Sequence, residues 1–206
     1  MRKVYTWEVR VKNTPLLKRK CNHCDSNKFY CSDKFRMNAQ KRNIDIWLIY
    51  RCLICDNRFN MSIFSRTKTE SINKHLFTKF SENNVEAAWK YAFSREISQK
   101  NRVELDFSSV EFDIQFEYIS MEDIFNFDCE FINFKIKYPL DFSLKLSSVI
   151  RKCFKLSANK LDKLIEAEVI SVREKPLQKK RKVKNEDIVK VNRKKLRSIY
   201  YLWLSK

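Results

Sequence analysis

The chain has 206 residues, no glycine, three prolines, seven cysteines and a formal net charge of +18. Its 44% hydrophobic and 14% aromatic content is enough apolar side chain for a core, which excludes a globally disordered chain. No apolar run reaches the roughly 20 residues of a membrane-spanning helix, and the start at Met1-Arg2-Lys3-Val4 lacks the apolar stretch and cleavage site of a signal peptide, so a soluble, cytoplasmic protein with no membrane partner is expected.

Val4 to Val11 alternates and reads as a strand that Asn13-Thr14-Pro15 ends. A turn at 21–25 leads to a short strand at Phe29-Tyr30-Cys31, then a polar, basic loop from Ser32 to Asn43. Ile44 to Cys52 reads as a strand, 52–57 as a second turn, and Arg58 to Phe64 as a returning strand. Residues 71–100 read as two helices. Ser71 would cap the first, with Ile72, Leu76, Phe77 and Phe80 on one face; Asn84 would cap the second, with Val85, Ala88, Trp89, Ala92 and Phe93. Leu105 to Tyr118 and Phe125 to Tyr138 read as strands, the latter with a change of phase after Phe131 that suggests a bulge. Between Val103 and Phe134 there are nine Asp/Glu and no Lys/Arg, which reads as a solvated strand face or, alternatively, as a cover for basic surface within the chain. After Pro139, 144–154 and 158–167 read as helices, with Ser157 capping the second. Short strands at 169–172 and 188–191 flank a basic hairpin, and Leu196 to Leu204 carries an aromatic helical stripe. The expected class is α+β in three parts: a zinc-ribbon-like β module over 1–70, central helices and acidic strands over 71–139, and an α/β region over 140–206.

Cys21-x-x-Cys24 and Cys52-x-x-Cys55 are separated by 27 residues. Two such pairs in tight turns can place four thiolates tetrahedrally around one structural Zn²⁺. A redox Cys-x-x-Cys needs no second pair, and catalytic zinc leaves a position open and uses His or a carboxylate. Cys31 is a spare that could replace one ligand, while Cys129 and Cys153 sit among apolar residues and read as core thiols. His23 lies between two ligands and His75 is alone. An aspartate follows each pair, Asp25 and Asp56, where a ribbon often has glycine in a left-handed conformation.

Average usage of about 7% would give roughly 14 glycines. Their absence, with scarce alanine and proline and abundant Lys, Asn, Ile and Phe, points to an AT-rich genome. Turns are then expected to use Asn, Asp or Ser at positive φ, and codon bias accounts for part of the lysine. The charge is nevertheless uneven. Residues 1–60 carry 14 Lys/Arg against 5 Asp/Glu, 61–172 carry 16 against 17, and 173–197 carry 12 against 3. Basic ends are what a polyanion binder presents; simple solvation by lysine is the alternative.

The stretch from Cys31 to Cys55, with Phe35-Arg-x-Asn-Ala39 and Asp45-x-Trp-Leu-Ile-Tyr-Arg-Cys52, resembles the bacterial family catalogued as domain of unknown function 1062, and the similarity extends over most of the chain. That resemblance implies a bacterial cytosolic protein and no particular activity. Residues 142–191 resemble the S4 RNA-binding fold in their order of helix, Leu156-Ser157 turn, helix, strand and closing strand. The resemblance implies RNA contact by the second helix and the nearby hairpin. Glu168 and Glu186 stand where that family has glycine, and Ala158 and Asn159 where it has arginines.

With two histidines, no Ser-His-Asp or Cys-His arrangement and no phosphate-cradling glycine loop, no enzyme is expected; Asp113 and Glu117 do not mark a pocket. The expected function is binding of structured RNA, with ribosomal or transfer RNA as candidates. The contacts would come from Lys152, Lys155, Asn159, Lys160, Lys163, Lys179, Lys180, Arg181, Lys182 and Lys184. Lys34, Arg36, Lys41 and Arg42, near Phe35 and Trp47, would add phosphate and stacking contacts, although both aromatics also suit a core. The alternatives are a zinc-stabilised protein–protein adaptor and a DNA-binding regulator.

Overall fold

The computed structural model describes residues 4–204. In chain order its elements are β1 (Val4–Val11), β2 (Leu16–Lys18), β3 (Lys28–Gln40), β4 (Asn43–Cys52), β5 (Arg58–Lys68), α1 (Lys74–Ser81), α2 (Val85–Ala92), α3 (Arg95–Lys100), β6 (Glu104–Asp106), β7 (Phe112–Phe116), α4 (Met121–Phe125), β8 (Phe131–Lys137), α5 (Leu146–Cys153), α6 (Ala158–Glu166), β9 (Ile170–Val172), β10 (Lys175–Pro176), β11 (Ile188–Asn192) and α7 (Arg193–Leu204). No helix among the described residues is long and apolar enough to cross a membrane. The class is α+β, with two sheets. The chain divides into two compact units, Val11–Glu111 and Met1–Arg10 with Phe112–Lys206. The boundaries expected near 70 and 139 both fall inside these units.

In the unit Val11–Glu111 the strand order is β5-β4-β3-β2-β6, with antiparallel neighbours throughout. The loop expected from Ser32 to Asn43 is instead most of β3, which pairs with β4 as far as Gln40 opposite Asn43. Its polar sequence disguised it. Phe35 and Met37 turn toward the core while Lys34, Arg36 and Asn38 are exposed, because only one face of the strand is covered. A bulge between Cys31 and Lys34, with Asp33 at φ 57°, also breaks the pattern. On the covered face Ile44, Ile46, Leu48, Tyr50 and Met61 pack with Phe80, Ala88 and Ala92 of the helices. Three helices, not two, occupy 71–100. Ser71 lies in a 3-10 turn and Asn73 caps α1. Asn84 caps α2 as expected, and Ser94 caps the short α3.

In the other unit the order is β10-β9-β11-β8-β1-β7. β1 runs parallel to β8, and β11 pairs antiparallel with β8 and β9. Trp7 stacks on Phe134 at 4.6 Å, with Phe154 edge-on to both. The strand expected over 125–138 begins only at Phe131. Its supposed bulge falls where β8 begins, after the turn and bends over 126–130 that separate it from α4, which a Ser120/Asp123 capping box starts. The α5 and α6 helices form where the periodicity puts them, and Ser157 caps α6.

Among the described residues, twelve non-glycine residues take positive φ. Asp33, Asp56, Asn83 and Ser143 are the expected types. Lys41, Arg66, Arg102, Lys155, Glu168, Arg173, Glu174 and Glu186 are not. Long charged side chains fill these turns because the chain offers no glycine, at a cost of about 1 kcal/mol each.

Candidate metal centre and candidate nucleic-acid interface

Two hairpins build the cysteine cluster. The β2–β3 pair sets Leu17 opposite Phe29, and the intervening turn closes through Arg19 N–H to Asn27 O and Cys21 N–H to Ser26 O. The β4–β5 pair sets Arg51 opposite Arg58, and its turn closes through Cys52 N–H to Asn57 O. Because β3 and β4 are themselves paired, with Phe29 opposite Cys52, the two turns lie side by side.

The result is one group of four thiols, Cys21, Cys24, Cys52 and Cys55, whose sulfurs all lie within 4.8 Å of one another. Cys21 Sγ is 3.6 Å from Cys55 Sγ and Cys24 Sγ is 3.5 Å from Cys52 Sγ. A disulfide needs about 2.05 Å, whereas tetrahedral ligands at about 2.3 Å from a metal lie about 3.8 Å apart. The donor set and spacing therefore suit a structural metal ion with no open position.

The four thiols are electrostatically unequal. The His23 backbone N–H, 3.4 Å from Cys21 Sγ, draws that thiol below its ordinary value. Desolvation pushes Cys52 up, but the backbone N–H groups of Cys55 and Ile54 outweigh it and bring the thiol to about 6. At Cys24 the Ser26 N–H works downward, but desolvation and the neighbouring thiols carry it up to about 12. Asp56 takes the left-handed turn position at φ 58°, whereas Asp25 does not. Asp56 also accepts from Tyr30 Oη at 2.9 Å and pairs with Arg51.

Cys31 is not in the group. It is buried beside Tyr50, and burial pushes its thiol far up. Cys153 is a core thiol, raised to about 12 by burial. Cys129, expected in the core, is only half-buried, because it lies in the bends between α4 and β8 rather than in a strand. His23 and His75 are exposed.

The second candidate site spans α5, α6 and the segment from β9 to β11. Lys152, Lys155, Asn159, Lys160, Lys163, Lys179, Lys180, Lys182 and Lys184 are all exposed. Several are held lightly: Lys155 Nζ lies 4.2 Å from the Tyr118 ring centroid, Lys160 Nζ 5.3 Å from Trp203, and Lys152 Nζ 3.5 Å from Asp113. The loop between β10 and β11 is tied down by a bridge between Lys145 and Lys182 and by the Lys179–Asp162 ion pair at 2.9 Å. Arg181 differs from the other nine. Its guanidinium turns to the fully buried carboxylate of Asp187, at 3.2 and 3.3 Å. Arg173 Nε donates to the same carboxylate at 2.9 Å and Lys184 N–H at 3.0 Å. Sequence reasoning missed Asp187. Its one visible signal was an acid just before the apolar strand Ile188–Val191.

The acidic stretch combines both expected roles. Glu104 pairs with Lys18 at 2.6 Å and Asp106 with Lys28 at 3.4 Å, while Glu122 and Asp128 are exposed. Of the two aromatics near the basic hairpin turn, Phe35 is buried against Phe80, but Trp47 is half-buried on the opposite face of the sheet.

No curated protein and no solved structure matches the chain. A family model described as Protein of unknown function (DUF1062) matches residues 37–176. The match holds Cys52, Cys55, α5 and α6, and ends before the run Lys179–Lys182. It spans about two thirds of the 206 residues, and the chain belongs to the DUF1062 family.

Proposed function

We propose that this chain is a non-enzymatic RNA-binding protein, with one Zn²⁺ as a structural cross-link in its cysteine cluster. Four thiolates at tetrahedral spacing favour zinc over hard cations, which take oxygen ligands. Held there, the ion would fix the two hairpin turns and do no chemistry.

The observation that carries the RNA reading is the exposed cation set. Eight lysines of α5, α6 and the adjoining turns and loop are exposed, and the loop is fastened to α6 through Lys179 and Asp162. The S4-like reading of this region has separate support. Glu168 and Glu186, at the two positions where the resembled fold has glycine, take φ 51° and 65°. Lysines in that arrangement would neutralise phosphates, with structured RNA as the ligand. Arg181 would hold the loop through Asp187 rather than touch phosphate.

Electrophoretic shift of the metal-bound protein with a structured RNA tests this. Six or so phosphate contacts would make log K fall with log salt at a slope of about −4 to −5. Charge reversal at Lys179, Lys180 and Lys182 should weaken binding by at least about tenfold. No RNA-specific shift at roughly 50 mM salt would sink the RNA reading. Less than half an equivalent of zinc in protein prepared without chelator would sink the zinc one.

A further inference from the structure

The sheet of the unit Val11–Glu111 has helices on one face only. Along β4, Ile44, Ile46, Leu48, Tyr50 and Cys52 are buried, so Asn43, Asp45, Trp47, Ile49 and Arg51 belong to the other face. Register extends that face across three strands. Trp47 stands between Arg36 of β3 and Ser62 of β5, Ile49 between Lys34 and Asn60, and Arg51 between Tyr30 and Arg58. Trp47 and Ile49 are only half-buried and take no part in the core cluster. Tyr30 is 36% exposed and is held by its hydroxyl on Asp56. The Arg36 guanidinium carbon lies 5.7 Å from the Trp47 ring centroid. Lys34, Arg36 and Arg58 are exposed and have no ion-pair partner among the described residues. Asp45 is occupied in accepting from Arg66 N–H at 2.8 Å.

We infer that this open sheet face is a binding platform for single-stranded RNA, with Trp47 stacking a base, Tyr30 offering a second ring, and Lys34, Arg36 and Arg58 meeting phosphates. Two rings set about 14 Å apart along the strand, four residues at about 3.4 Å each, suit two bases of one extended single strand with a further nucleotide between them rather than one small ligand. Charge complementarity identifies the occupant. With Arg51 paired to Asp56, the face sets three cations, Lys34, Arg36 and Arg58, against one carboxylate, Asp45, so a polyanion complements it. A-form duplex does not suit the platform either, because its bases are stacked inside a groove that side chains cannot read. Splayed bases stack on aromatic faces regardless of sequence. The inference shares with the preceding reading only that RNA is the ligand; the surface is a different one.

The test uses full-length metal-bound protein and a fluorescein-labelled single-stranded RNA 12-mer of A and C only, which cannot pair with itself, at about 50 mM salt. Anisotropy should report binding, and the same sequence as a duplex should compete poorly. Trp47→Ala should weaken binding by about 5- to 150-fold, the range for loss of one stacked base. Trp47→Phe, which keeps a π face, should restore most of it. Lys34→Glu with Arg36→Glu should weaken binding and reduce the salt slope by about 1.4. Charge reversal at Lys179, Lys180 and Lys182 should leave 12-mer affinity unchanged. Unchanged affinity in Trp47→Ala, or tenfold tighter binding of the matching single-stranded DNA, would overturn the inference. Failure to bind the 12-mer while structured RNA still binds would overturn it and leave the preceding reading standing. If Trp47→Ala loses its metal or its circular dichroism, Trp47→Phe and Arg36→Ala decide instead. Equal affinity of Arg36→Ala and wild type would then count against the platform.

Discussion

Replacing Asp187 by asparagine preserves shape and removes one charge at a buried site that takes three donor groups. The carboxylate is fully buried and accepts from Arg173, Arg181 and the Lys184 N–H. Removing one partner of a buried ion pair costs about 3–5 kcal/mol, because the remaining charge is stranded. Here the arginine side chains are 57% and 25% exposed, so each can recover water. The asparagine oxygen can still accept from Lys184. Both effects lower the expected loss to about 2–3 kcal/mol. For a unit of about 100 residues that is a fall of roughly 10–20 °C in its melting temperature. Hydrogen exchange offers a local readout, with amides of 168–192 losing protection while those of β3 to β5 keep theirs. Salt separates this from a surface effect, since a buried pair is screened little and the loss should persist between 0.1 and 0.5 M salt. A change below about 0.5 kcal/mol, or one abolished by salt, would refute the reasoning.

Glu168→Gly should leave stability equal or raise it by up to about 1 kcal/mol in chemical denaturation. Relief of the left-handed conformation at φ 51° outweighs the added chain entropy, and the 3.8 Å contact with Lys195 is exposed and weak; a clear loss would show that the conformation is not strained. Asp106→Asn should destabilise by on the order of 1 kcal/mol at pH 7. The Ser108 hydroxyl, then Lys28, hold the Asp106 carboxyl below the ordinary carboxylate value. A depressed folded-state value gives stability that is present above the unfolded value, near 4, and lost as pH falls through the folded value. The gap between variant and wild type in urea titrations should therefore close below about pH 4; a gap constant with pH would contradict it.

The cysteine group was legible because its chemistry is local: two Cys-x-x-Cys turns need only a pair of adjacent hairpins to converge, and β3–β4 pairing supplies that adjacency. The same pairing was hidden in the residues. β3 carries Ser-Asp-Lys-Phe-Arg-Met-Asn-Ala-Gln, which reads as loop when both faces of a strand are assumed to want apolar residues. Its polarity is the record of a face left open, and Trp47 belongs to that face rather than to the core. Helices α5 and α6 were visible in their 3.6-residue period and in the Ser157 cap. Asp187 was not, because neither its burial nor its two arginines leaves any periodic trace.

The absence of glycine links the two anchored places. A left-handed non-glycine residue costs about 1 kcal/mol, and a domain has only 5–15 kcal/mol to lose. Four of the twelve lie beside one of the two polar clusters. Asp56 follows Cys55 directly, at φ 58°. Arg173 and Glu174 at φ 52° and 61° and Glu186 at 65° flank the Asp187 carboxylate, which Arg173 itself contacts. The turn at Asp56 is closed by hydrogen bonds at Cys52, and the turns at 173–174 and 186 by a buried charge with three donors. Each anchor holds its neighbours in a conformation their side chains disfavour. On this account the cysteine turns and the Asp187 carboxylate are the same structural solution in two chemistries: a polar cluster placed beside a turn holds that turn closed.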